Sequence, residues 1–237
     1  MKEIKSIPLF HSILFFGIAG IVMWLSTHYF LPWLVYTTGM IHLLGWILVG
    51  AFCIFIPLFV AAIFFYRKDG GELNFTQFKE RFRLKPMTKI DWEWTFLSFL
   101  IIIVLSAVIV YLQLSIIDKI IMIPPFLVVR PLHDSQLWIL LPWVGLFFFN
   151  MFGEEFLWRG YLLPRQELTH KKLAWLVNAC LWTLFHLSFG ITMVTTLIPL
   201  LFIVPYVVQK RKNTWIGIIL HAVINGPGFI LVAVGAI

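Results

Sequence analysis

The sequence predicts an all-α, polytopic membrane bundle of about seven transmembrane helices with its N-terminus in the cytoplasm. Three observations lead there. The 237 residues are 61% hydrophobic and only 12% charged, with a mean hydropathy of +0.94, too little polar surface to cover a water-soluble core. The apolar residues come in runs of membrane-spanning length. The basic residues collect in alternate connections between those runs, as the positive-inside rule requires.

Seven apolar runs can be drawn in order, at 8–30, 41–66, 92–117, 137–164, 172–189, 191–208 and 214–235. The first follows Lys2 and Lys5 and resembles a signal peptide, but it is long, carries Pro8 and His11, and lacks a small-x-small cleavage site, so it reads as a retained helix. Between the second and third runs lies a basic segment, 67–91. There Phe75, Phe78, Phe82 and Leu84 interleave with Lys79, Arg81, Arg83 and Lys85, which predicts an interfacial helix on anionic lipid, with substrate docking as the alternative. The connection 118–136 holds Pro124, Pro125 and Pro131 and reads as an extended strip against the outer bilayer face. Little more than Phe189 and Gly190 separates the fifth and sixth runs, which must therefore form a tight hairpin.

The cations test this arrangement. Lys2, Lys5, Arg67, Lys68, Lys79, Arg81, Arg83, Lys85, Lys89, Arg165, Lys171, Lys172, Lys210, Arg211 and Lys212 fall on one side, and only Lys119 and Arg130 on the other. With Arg159 inside a run, these account for all 18 Lys and Arg residues. The basic side is cytoplasmic, and the expected location is a bacterial cytoplasmic membrane. The net charge of +7 is thus explained by orientation, and nucleic acid is excluded as a partner. Cys53 and Cys180 sit in apolar runs without metal-type spacing and behave as small hydrophobes. Trp92, Trp94, Trp138, Trp143, Trp175 and Trp215 lie near run ends, where an aromatic belt needs no functional reason.

Charges inside an apolar run need a reason, because each costs at least about 2.5 kcal/mol there. Nothing from Leu137 to Phe152 is ionisable, yet Glu154, Glu155 and Arg159 follow at once. On a helix Glu155 and Arg159 are i,i+4 neighbours that neutralise each other, while Glu154 points about 100° away and is left over as a candidate general base. Three later polar residues share its depth. At 1.5 Å per residue Glu154 lies roughly 15 Å from the cytoplasmic end of its run, His186 roughly 21 Å and His221 roughly 11 Å. Asn225, four residues after His221, shares its helical face. Singly, such residues are more often bridges between helices. Together, a base, a proton-sharing histidine and two further hydrogen-bonding groups are the parts for activating water against an amide and holding the oxyanion. His11, His28, His42, His133 and His170 lie near run ends or in loops and are left out.

These residues resemble the motifs of the CPBP intramembrane proteases. Glu154, Glu155 and Arg159 match E-E-x-x-x-R; Trp182 and His186 resemble F-x-x-x-H, with tryptophan replacing phenylalanine; His221 and Asn225 resemble H-x-x-x-N. The family groups CAAX prenyl endopeptidases with bacterial bacteriocin-processing and immunity proteins. The resemblance implies an intramembrane endopeptidase acting on a membrane-associated protein or peptide. Glu154 and His186 would activate water, His221 and Asn225 form the oxyanion site, and Glu155 and Arg159 support it. It covers about 137–235, a four-helix protease core, and leaves 1–136 as three further helices with the basic loop. Glu154, His186 and His221 could alternatively hold Zn2+, but no H-E-x-x-H places two ligands on one helix, and a metal-free, cofactor-free site is favoured. The rival readings are a non-enzymatic immunity or scaffold protein and a proton-linked transporter. A transporter usually repeats broken helices in two halves, whereas here the polar residues are confined to the C-terminal four runs.

Overall fold

The computed structural model describes residues 4–72, 74–117 and 123–235, and among them every regular element is a helix. Among the described residues six helical stretches are long and apolar enough to cross a membrane: Leu9–Thr38, His42–Lys68, Lys89–Ile116, Asp134–Phe189, Ile191–Arg211 and Thr214–Leu231. Below, α1 is Leu9–Thr38, α2 His42–Lys68, α3 the short Phe75–Arg81 and α4 Lys89–Ile117. Next, α5 runs through Leu140–Glu154, Glu155–Leu162 and Leu163–His170; α6 is Ala174–Phe185, α7 Ile191–Arg211 and α8 Thr214–Ala233.

The 56-residue stretch Asp134–Phe189 holds the fourth and fifth expected runs. It reverses at Lys171, whose φ is +52°, so that α6 packs back along the end of α5. The next reversal is the tight turn at Gly190, whose φ of +83° suits a residue without a Cβ. The turn lays α7 against α6, and α7 also packs on α4. Along α4, Ile103, Val104 and Leu105 point outward, on a face that lipid rather than water would solvate.

Three stretches are wound as π-helix: Ser26–Phe30 in α1, Gly50–Phe55 in α2 and Glu155–Leu162 in α5. Each ends two residues before a proline, namely Pro32, Pro57 and Pro164. Proline lacks an N–H and its ring presses on the carbonyl four residues back, and one wider turn relieves both problems. Pro199, Pro205 and Pro227 lie inside ordinary α-helix, so proline permits this winding without compelling it.

Two connections differ from the sequence reading. The later part of the basic segment is folded onto the bundle, while Phe75 at the start of α3 stays exposed. Phe82 is fully buried, stacks on Phe78 at 4.3 Å and meets Phe156 of α5 at 5.4 Å. Arg81 is buried, and burial followed by the neighbouring Arg165 pushes its pKa below the usual arginine range. Arg83 forks onto Glu167 at 2.7 and 2.9 Å, Lys212 bonds the same carboxylate, and Arg211 reaches Asp91 at 2.8 Å. The cations counted for orientation thus also tie three connections together; Lys2 and Lys119 of that count lie outside the described residues. The proline-bearing connection also turns inward. Its Phe126 is buried against His28 of α1, Trp46 of α2 and Phe189, while Asp118–Met122 lie outside the described residues.

Candidate active site

The site is built where α5 crosses α2. At Gly153 an added Cβ would stand 2.6 Å from the Phe55 carbonyl oxygen, so the two helices touch backbone to backbone. That contact seats Glu154, only 1% exposed, in the bundle interior. Both its oxygens are held: Oε1 accepts from Asn150 Nδ2 at 2.8 Å, one helical turn earlier, and Oε2 accepts from Trp182 Nε1 at 2.5 Å.

Glu155 begins the π-wound stretch. The Leu163 N–H closes it by bonding back five residues to the Trp158 carbonyl. Within it Glu155 Oε1 lies 3.4 Å from Arg159 Nη1, with both side chains wholly buried. The expected pair exists, but it has a third member, because His221 Nδ1 stands 3.1 Å from the same oxygen. A carboxylate at this distance accepts, so Nδ1 is the donor and Nε2 is left for other work. The Arg159 guanidinium lies over the Trp182 ring, 3.5 Å from its centroid, and its nitrogens have no hydrogen-bond partner among the described residues. Gly217 of α8 makes room for the triad: a Cβ there would lie 2.4 Å from Glu155 Oε2.

His186 sits where α6 tightens into the 3-10 turn His186–Phe189. Its Nδ1 donates to the Trp182 carbonyl at 2.9 Å, which again leaves Nε2. The ring of Trp182 is edge-on to both histidines, with centroids 5.2 Å from His186 and 5.4 Å from His221.

Glu154, His186, His221 and Asn225 all line one cavity of about 340 Å³, together with Asn150. Its walls are mostly apolar, from Trp46, Phe55, Trp143, Phe147, Leu197 and Phe229. Glu155 and Arg159 are not on its surface and stand behind His221 and Trp182. Few polar groups converging in an apolar hollow is the usual form of a small-molecule or peptide site. Histidines whose Nδ1 is already bonded resemble metal ligands. Yet no three His, Cys, Asp or Glu side chains among the described residues are arranged to hold a metal ion, and both Glu154 oxygens are engaged. As arranged among the described residues, Glu154, His186 and His221 are not grouped as three ligands around one point.

Two further residues at the site, Asn150 and Trp182, hold the Glu154 carboxylate. Asn150 precedes Glu154 by four and so shares its face, an amide in an otherwise non-ionisable apolar run. Trp182 carries an indole N–H that its motif's phenylalanine lacks. Trp143, read as belt, instead lines the cavity and stacks on Phe229 at 4.8 Å.

No curated protein and no solved structure matches the chain. Residues 136–226, which span Glu154 to Asn225, match the family described as Type II CAAX prenyl endopeptidase Rce1-like, so the segment holding the site is similar to that family, in keeping with the CPBP-like motifs it carries.

Proposed function

We propose that the protein is an intramembrane endopeptidase that hydrolyses a membrane-associated peptide with water activated by Glu154 and His186. The observation that carries this reading is the shared cavity: a carboxylate, two histidines with free Nε2 atoms and an amide face one apolar hollow. Two donors fix the Glu154 carboxylate, and its remaining lone pairs can take a proton from water while the water oxygen attacks the amide carbon. His186 Nε2 shares that proton and passes it to the leaving amine. Asn225 donates to the oxyanion as a neutral amide. His221 donates from Nε2 only as the imidazolium, a charge that Glu155 at Nδ1 compensates. Glu155 and Arg159 therefore act through His221.

The reading includes a cytoplasmic N-terminus, supported by the asymmetry of Lys and Arg, and a core at 137–235 to which 1–136 adds three helices and the basic loop. It takes the substrate to be of CAAX type, after the matched family. Purified protein in lipid, given a prenylated peptide ending in Cys-a-a-X, should release the C-terminal tripeptide, and Glu154→Gln should not. Equal release by both proteins would refute the reading.

A further inference from the structure

We infer that Trp182 is a positioning residue, whose indole holds the Glu154 carboxylate in the orientation needed to receive water's proton. The inference rests on the proposed hydrolysis for its purpose but on geometry for its content. Trp182 is fully buried and is not on the cavity surface, so it meets no substrate. Its N–H reaches Glu154 Oε2 at 2.5 Å while Asn150 takes Oε1 at 2.8 Å. One donor on each oxygen fixes the plane of the carboxylate and leaves its other lone pairs for the cavity.

The other face of the indole explains why this donor is a strong one. The Arg159 guanidinium centred 3.5 Å above the ring draws electron density toward itself, which makes the N–H more acidic. Arg159 has no competing hydrogen bond among the described residues; its charge is spent on Glu155 and this ring. The indole thereby joins Glu154 to the Glu155–Arg159 pair without a direct bond between the two carboxylates. Phenylalanine, which stands here in the matching motif, would fill the space and lie beneath Arg159 but leave Glu154 Oε2 without this donor.

Two measurements test the idea. In protein with 15N-labelled tryptophan, Trp182→Phe identifies the Trp182 indole resonance. That resonance should lie downfield of the other indoles in the unsubstituted protein and move upfield in Glu154→Gln, where a neutral amide replaces the carboxylate acceptor. A resonance lying among the others and unmoved by Glu154→Gln would overturn the inference, whether or not any peptide is cleaved. With the prenylated peptide, Trp182→Phe should keep its melting temperature and KM but lose about tenfold or more in kcat. An unchanged kcat would overturn it. If the unsubstituted protein cleaves nothing, the protease reading fails, and the resonance alone decides whether Trp182 holds Glu154.

Discussion

Glu155 Oε1 accepts from His221 Nδ1 at 3.1 Å while the same oxygen faces Arg159 Nη1 at 3.4 Å, so one buried oxygen serves a structural ion pair and a histidine of the cavity at once. The two adjacent glutamates consequently fail in different ways.

Glu154→Gln should fold as well as the parent, because an amide keeps the shape and can still accept from Trp182, but it cannot take water's proton. Its turnover should fall roughly 10²-fold or more, the usual scale for a general base. Glu155→Gln leaves Arg159 buried without its counter-charge, a loss of about 3 to 5 kcal/mol when buried pairs are broken. Melting temperature and yield should drop, and the folded fraction should turn over slowly because His221 loses its anion. Near-normal cleavage by Glu154→Gln with a folded but inactive Glu155→Gln would assign the base to Glu155 instead.

Gly217→Ala should destabilise the protein by on the order of 1 to 3 kcal/mol, the range for overpacking a filled interior. Its Cβ would press on Glu155 Oε2 at 2.4 Å and on Val208 at 3.1 Å. Gly145→Ala is the control, since nothing lies within 4 Å of the added atom. Thermal unfolding of both in the same lipid decides the matter, and equal melting temperatures would show that the helices give way.

Chelation should leave cleavage intact, and purified protein should carry no stoichiometric zinc, because no three ligating side chains among the described residues are arranged to hold it. Loss of activity to a chelator with recovery on adding zinc would mean that Glu154 exchanges its bonds to Asn150 and Trp182 for metal.

Reporters fused after Gln77 and after His133 should signal opposite sides of the membrane, with the first cytoplasmic. The segment around Gln77 is tied through Arg83 to Glu167 and through Asp91 to Arg211, on the basic side, whereas Arg130 is the described cation of the other side. Signals from one side only would refute this orientation.

The helical architecture was legible because lipid demands long uninterrupted apolar runs, and the depth of each polar residue followed from counting inward along them. Depth alone brought Glu154, His186, His221 and Asn225 toward one layer, and the structure sets them around one cavity. Direction around the helix was less legible. Regular α-winding was assumed through Glu155–Leu162, where the chain is π-wound, and the contact of Glu155 with His221 depends on a helix 66 residues away. Pro164 was the available sign of that winding. Trp182 was hidden by its surroundings, since an indole in an apolar run looks like packing until its N–H finds an acceptor. The segment 67–91 misled for a related reason: alternating aromatic and basic residues suit a lipid surface and a protein surface equally, and only Phe156 and Glu167 across the gap distinguish them.

The shared carboxylate of Glu167 has a consequence for how the chain is made. Its two cations belong to segments synthesised at different times, Arg83 84 residues earlier and Lys212 45 residues later. As Glu167 leaves the ribosome, Arg83 is already available, but the second partner follows only after α7, a delay on the order of seconds at ordinary elongation rates. Until then the carboxylate of Glu167 is fastened on one side alone, and this end of the bundle stays open. Lys212 and the Thr214 N–H, which bonds the Arg83 carbonyl at 3.0 Å, then close that end from opposite sides of Asn213. A chain halted before Lys212 would therefore leave Glu167 with only one of its two cations.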